Sequence, residues 1–263
     1  MGKLLKADFY RIIKSKLFLI VCIITAVFPI ITTLLYLFVT EIMKVVETGT
    51  QAFNVGSFAA RDLLSDSFLM SSNMGLILPI FITIFIGMDV SNGTLRNKII
   101  AGRSRTSIYI SHLISSCTIS GVLMLANVLI FFGFSSLIFS YGHPIDQGEL
   151  VRLLFFFITG LFTFFFSASI STALSLTIKH TAPAVIITVV AGMGLSIISS
   201  VVHMSPDLTN KWLCLIPSYT NNGFLASGYF PASSFAIGIL SYVFFGAVIT
   251  FIGLRLFNKQ DIK

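Results

Sequence analysis

The chain contains six long stretches without a single Asp, Glu, Lys or Arg, and these constrain its fold more than any other feature. Each is longer than the about 18 residues that a membrane-spanning helix needs. Lipid offers the backbone no hydrogen-bond partner, so such runs fold as helices, whereas a transmembrane β-barrel would alternate polar and apolar residues. The uncharged runs are Leu17–Thr40, Ser67–Met88, Thr106–Gly142, Leu153–Ile178, Thr181–Val202 and Trp212–Leu254.

These runs predict an all-α, polytopic membrane protein that forms one transmembrane domain over residues 1–263. Pro217 and Pro231 interrupt the last run, so its spanning helix is placed in the second half. Only 10% of the residues are charged, against about 25% in a soluble domain. The predicted spans are about 17–40, 67–88, 108–140, 153–178, 182–203 and 234–255.

The distribution of basic residues predicts that both termini are cytoplasmic. With an inner N-terminus, 13 of the 17 Lys and Arg residues lie on the inner side, and seven of the ten acidic residues lie outside. The net charge of +7 is therefore explained by topology and by attraction to anionic headgroups. It predicts the bilayer as a partner, and no nucleic acid. In a bacterium, this would be the inner or cytoplasmic membrane.

Residues 2–16 have the pattern of an amphipathic helix lying in the inner interface. One face carries apolar side chains and the other carries basic ones, although Lys16 departs from the pattern. The alternative is a frayed basic tail that only sets the topology. The apolar face comprises Leu5, Phe9, Ile12 and Ile13, and the basic face comprises Lys3, Lys6, Arg11 and Lys14.

The first inner loop, Asp89–Ser111, predicts a short cytoplasmic helix. A turn at Asn92, Gly93 and Thr94 supplies its start, and Gly102 ends it. An apolar ridge flanked by positive charge is suited to docking in a groove of a partner with an acidic rim. The alternative is a loop that only retains charge inside. The ridge is formed by Leu95, Ile99 and Ile100, and the charge by Arg96 and Lys98.

Chemistry within the membrane is not indicated by the sequence. The uncharged runs contain no Asp, Glu, Lys or Arg of the kind typical of proton relays and ion-coupled transporters, and His112 lies near the end of its run, where an interfacial role is expected. The chain has neither a G-x-S-x-G nor an H-E-x-x-H motif. The three cysteines form no metal-binding spacing. No catalytic, cofactor-binding or metal site is therefore predicted.

Small residues four positions apart predict close helix packing. Such pairs are Ser167 with Ser171 and Gly192 with Ser196. Their spacing is equally compatible with packing inside one chain and with packing between two chains.

The first inner loop resembles that of the permease subunits of ABC type 2 exporters. The resemblance covers essentially the whole chain, with six spans and basic segments at both ends. Two positions depart from the family pattern, which often has Glu in place of Asp89 and Lys in place of His112. The matching residues are Asp89, Gly93, Thr94, Arg96, Ser104, Arg105, Ile108, Tyr109 and Ser111.

This resemblance implies a function that depends on a separate ATPase subunit and on a second permease, either another copy or a sister chain. The chain has no G-x-x-x-x-G-K-[ST] motif, so ATP and Mg would bind to the partner and the chain itself would be no enzyme. The first inner loop would be the coupling helix. In it Asp89 would brace the second span, Gly93 and Thr94 would start the helix, Leu95 and Ile99 would be apolar anchors, and Arg96 and Arg105 would contact the rim.

The resemblance further implies re-entrant helices in residues 217–233, with an ordinary outer loop as the alternative. The cargo is expected to be an antimicrobial or other amphipathic peptide, or a hydrophobic compound, because the uncharged spans do not suit an inorganic ion or a sugar. Two other functions remain open. The chain could be a membrane scaffold or sensor that transports nothing, or an ion-coupled secondary transporter.

Overall fold

The computed structural model describes residues 2–47, 60, 72–139, 147–178, 180–203, 211–217, 219 and 232–260. Within these ranges 93% of the residues are helical and none is in a strand. The prediction of an all-helical chain is therefore confirmed.

Six helices of the described residues are long and apolar enough to cross a membrane. They are α2, α3, α5, α6, α7 and α8 in the numbering below. Their number agrees with the predicted number of spans, as expected for a multi-pass membrane protein. The helices are α1 (Gly2–Lys14), α2 (Lys16–Glu47), α3 (Asn73–Ser91), α4 (Thr94–Ile100), α5 (Arg105–Ile138), α6 (Gln147–Thr177), α7 (Thr181–His203) and α8 (Ala232–Lys259), with a 3-10 helix at Lys211–Leu215.

The helices extend a few residues beyond most of the uncharged runs, because backbone hydrogen bonding continues into the polar flanks. Ser104, for example, caps α5 by accepting a hydrogen bond from the Ser107 amide at 3.3 Å. Residues 67–71 of the second predicted span lie outside the described residues. The same is true of most of the segment 217–233, for which re-entrant helices are predicted.

Helix α6 is the centre of the packing, since it contacts α3, α5, α7 and α8. Its Phe156 and Phe164 side chains are buried in the main core. Close approach to α8 depends on Gly253, where an added Cβ would lie 2.8 Å from the Cβ of Ala173 on α6 and 2.5 Å from the Tyr109 hydroxyl on α5. A side chain at this position would therefore push the helices apart.

The two predicted small-residue pairs lie at buried positions of the chain. Ser167 and Ser171 of α6 and Gly192 and Ser196 of α7 are all buried in the isolated chain. The hydroxyl of Ser171 donates to the carbonyl of Ser167 at 2.9 Å, so its polarity is satisfied within its own helix.

The N-terminus of α1 and the C-terminus of α8 lie at the same end of the helices, since six spans return the chain to the end where it began. We call this the basic end. It also holds α4, the start of α5 and the end of α3, which contact one another. Helix α1 packs on α5 and reaches α3 and α4 through side-chain ion pairs.

Candidate functional site

A group of buried charged side chains joins four helices at the basic end. It begins with α1, whose buried stripe is Leu4, Asp8 and Ile12, one residue from each successive turn. The stripe differs from the predicted apolar face, because Ile13 is 57% exposed and the acidic Asp8 faces inward. A carboxylate in this position requires partners from neighbouring helices.

Lys98 of α4 supplies the main partner. Its ammonium nitrogen lies 2.7 Å from Asp8 Oδ1, 3.2 Å from His112 Nε2 and 3.5 Å from Asp89 Oδ2. An ammonium group has three N–H donors, and three acceptors surround it here. Asp8 also accepts a hydrogen bond from the Ser111 hydroxyl at 2.7 Å. One lysine thus connects α4 with α1, α3 and α5.

Asp89, in the last turn of α3, forms the second half of the group. Both of its carboxylate oxygens accept hydrogen bonds from the Arg11 guanidinium, in the bidentate geometry that makes such pairs strong. The same guanidinium lies 4.6 Å from the centre of the Phe85 ring. The Asp89 carbonyl accepts a hydrogen bond from the Thr94 hydroxyl at 3.0 Å, so the end of α3 holds the first residue of α4.

In this group two carboxylates, Asp8 and Asp89, face the Lys98 ammonium, the Arg11 guanidinium and the His112 imidazole. Burial raises the pKa of Asp8, but the charge interactions with His112 and Lys98 and the hydrogen bonds from Lys98 and Ser111 outweigh burial, so this pKa lies below its ordinary value of 3.8. The carboxylate form is therefore the one that the fold stabilises.

Asp8, Asp89 and His112 also bring three potential metal ligands within 4.8 Å of one another. The Lys98 ammonium lies within hydrogen-bonding distance of two of these groups. A cation of the chain itself thus already occupies the point where they converge, and the residues do not suit a metal ion.

Helix α4 has one face bound to the chain and one face exposed. Glycines with positive φ, Gly93 (70°) and Gly102 (79°), flank it and allow the backbone to reverse on both sides. The bound face consists of Leu95, Lys98 and Ile99, and the exposed face consists of Arg96, Asn97 and Ile100.

This arrangement corrects the expectation that Leu95 is an anchor for a partner. Its side chain is 3% exposed and packs in the main core, and Ile99 is partly buried against the same core. Residues at i and i+4 share a helix face, so Ile99 points toward the core on the same side as the buried Leu95. Ile100, by contrast, is 73% exposed and is the apolar residue of α4 that a partner can reach.

Arg105 also has a different position from the one expected for a rim contact. Its guanidinium donates to the carbonyls of Asn258 at 2.9 Å, Gln260 at 2.5 Å and Phe257 at 3.4 Å. A cation at a helix C-terminus satisfies carbonyls that lack partners within the helix. Arg105 therefore fastens the end of α8 to the start of α5.

Asp8, Lys98 and His112 are not recognisable from the sequence as members of one site, because Asp8 is far from the other two in the chain. A signal was present for Asp8, which follows Leu4 and precedes Ile12 at intervals of four residues. An acid at the centre of such a stripe indicates a buried ion pair. Nothing in the sequence indicates its partner.

Comparison with known proteins agrees with this architecture. The family described as ABC-2 family transporter protein matches residues 4–195, from α1 into α7, and the match includes the whole buried charge group. No curated protein matches the chain significantly. Since the family match covers well over half of the chain, the chain belongs to the ABC-2 family of membrane transporter proteins.

Proposed function

We propose that the chain is the permease subunit of an ATP-driven exporter and that a separate cytoplasmic ATPase subunit docks on the exposed face of α4. The observation that carries this proposal is the two-sided character of α4. Arg96, Asn97 and Ile100 are exposed, whereas Lys98 on the opposite face is ion-paired with α1 and α3. An apolar residue 73% exposed between polar ones suits a partner groove with an acidic rim.

The buried charge group gives this docking a mechanical consequence. A displacement of α4 carries α1, α3 and α5 with it, because breaking a buried ion pair costs about 3–5 kcal/mol. Closure of the ATPase on ATP would thus shift the spans as connected bodies, provided that the ATPase contacts the two arrangements differently. ATP and Mg bind to the partner in this scheme, and the permease acts as a pair of copies or with a sister chain.

Sidedness gives the first test. The basic end is cytoplasmic in this proposal because most Lys and Arg residues lie there. A single cysteine at the exposed Asn97, in a variant with the three native cysteines replaced, is expected to react with a membrane-impermeant maleimide in inverted vesicles and to stay unreacted in intact cells. Labelling in intact cells would contradict cytoplasmic docking.

Capture of the ATPase gives the second test. The permease is co-expressed with a candidate ABC ATPase subunit, purified in mild detergent and analysed for bound ATPase. Ile100→Asp and Arg96→Glu are expected to remove the ATPase while leaving the permease monodisperse. Leu150→Asp is the matched control, because Leu150 is 56% exposed in the first turn of α6, at the opposite end. Full retention of the ATPase by both α4 variants would refute docking on this face.

The proposed cargo is an amphipathic peptide, such as an antimicrobial peptide, or another hydrophobic compound. The described acidic and basic residues of the spans lie near the helix ends, and so the middle of the membrane offers such a compound apolar surface. Reconstituted permease and ATPase should move a fluorescent cationic peptide only when ATP is present. Flux that follows an ion gradient without ATP would favour a secondary transporter, and no flux with a bound ATPase would favour a scaffold or sensor.

A further inference from the structure

An apolar groove separates α7 from α8. Both helices pack on α6, but among the described residues they make hardly any contact with each other. The groove between them has α6 as its floor and a volume of about 710 Å³. Its lining side chains are apolar apart from Thr177, and those on its walls, such as Val190 (63% exposed) and Leu256 (50% exposed), are open to the surroundings.

The groove has the length of one membrane leaflet. It extends over residues 166–177 of α6, 187–198 of α7 and 245–256 of α8, which is about 16 Å of each helix and about half of the hydrocarbon core. The groove is open along this length, and its apolar lining suits extended hydrocarbon chains.

Positive charge marks the end of the groove that lies at the basic end of the molecule. Phe245, Ile249, Ile252 and Leu256 form the stripe of α8 that lines the groove, and Lys259, three residues further on, continues the stripe beyond it. Lys259 is exposed, whereas the guanidinium of Arg255 one turn earlier lies 4.6 Å from the centre of the Phe251 ring, outside the groove lining. An apolar groove one leaflet deep thus leads to one basic side chain at headgroup level.

We propose that this groove is a binding site for an anionic phospholipid, whose acyl chains lie between α7 and α8 and whose phosphate pairs with Lys259. Hydrocarbon chains match the apolar lining, and the exposed Lys259 selects a negative headgroup. The site belongs to this chain alone and does not depend on an ATPase, so its test is independent of docking at α4.

The test is native mass spectrometry of the whole chain in detergent, titrated with phosphatidylglycerol or with phosphatidylcholine of the same acyl chains. The unmodified chain is expected to retain phosphatidylglycerol in preference to phosphatidylcholine. Gly194→Phe should abolish the bound lipid, since Gly194 lines the groove and has no atom within 4 Å of an added Cβ, so that the ring enters the groove without a clash. Gly133→Phe is the matched control, because Gly133 is exposed on α5 and equally free of neighbours.

Lys259→Gln tests the headgroup contact separately. Because Lys259 is exposed, this variant is expected to fold normally and to lose about fivefold of the preference for phosphatidylglycerol, the effect of one basic side chain near an anionic lipid. Equal binding of both lipids, or binding that survives Gly194→Phe, would overturn the proposal. So would a dimer that Gly194→Phe converts to monomers without loss of lipid, because the groove would then be an interface between copies.

Discussion

Replacing Lys98 by Met should test whether the buried charge group holds α4 to the helices around it. The substitution removes the ammonium between Asp8 Oδ1 (2.7 Å) and Asp89 Oδ2 (3.5 Å) and keeps most of the aliphatic stem. Asp89 retains Arg11. Asp8, with a side chain 2% exposed, retains the hydroxyl of Ser111 and faces a large desolvation cost.

The size of the effect is bounded by the chemistry of the carboxyl group. Removing one partner of a buried pair costs about 3–5 kcal/mol, and the Lys98 side chain is only 16% exposed, so solvent screening reduces this little. Asp8 can instead take up a proton, which at pH 7 costs about 4 kcal/mol relative to its ordinary pKa of 3.8. We therefore expect Lys98→Met to lower the free energy of unfolding by about 3 kcal/mol.

A double-mutant cycle measures the interaction free energy between Asp8 and Lys98. Asp8→Asn is expected to cost about 1–2 kcal/mol, because Lys98 keeps its other acceptors. The double variant should be more stable than the sum of the two losses implies, by at least about 1 kcal/mol, since no unpaired charge remains.

The assay is equilibrium unfolding in mixed detergent and SDS micelles, followed by circular dichroism. Lys6→Met, which alters an exposed lysine of α1, is the control and should change stability by less than about 0.5 kcal/mol. Losses that add within about 0.5 kcal/mol would refute the ion pair.

Two further predictions concern pH and packing. Folding lowers the pKa of Asp8 from 3.8, so the contribution of its carboxylate to stability is fully present above pH 3.8 and is lost as the pH falls through the lower folded pKa. Measuring the free energy of unfolding against pH in acid should show this loss. The same pH dependence in Asp8→Asn would contradict it. Gly253→Ala should cost about 1–3 kcal/mol, because its Cβ would lie 2.5 Å from the Tyr109 hydroxyl. Gly192→Ala, with no neighbouring atom within 4 Å of the added Cβ, should leave stability unchanged or raise it, and equal losses in the two variants would refute the close-packing argument.

The spans could be predicted because the signal for them is local. A run such as Leu153–Ile178 has no Asp, Glu, Lys or Arg, and a bilayer leaves such a run no alternative to a helix. The short helix α4 was predicted for a similar reason, from a turn before Thr94, apolar residues at helical spacing and a glycine after it. Its length could be obtained from the sequence, but the direction of each side chain could not.

Which face of α4 is exposed depends on residues distant in the chain. From the sequence, Leu95, Ile99 and Ile100 form one ridge, and any part of it can face a partner. In the structure Leu95 packs in the main core and Lys98 pairs with Asp8. Ile100, on the opposite face of α4, is therefore exposed. Arg105 likewise has the positive charge expected of a rim contact, but its guanidinium instead donates hydrogen bonds to backbone carbonyls at the C-terminal end of α8.

The sequence by itself determined that this protein spans a membrane six times with a short helix between the second and third spans, because hydrocarbon penalises unpaired backbone and charge along every segment separately. Only the tertiary structure decided which charges neutralise one another. Asp8, Asp89 and Lys98 are separated by up to 90 residues, and their interaction depends on atoms that fall within about 4 Å of one another only when α1, α3 and α4 pack together.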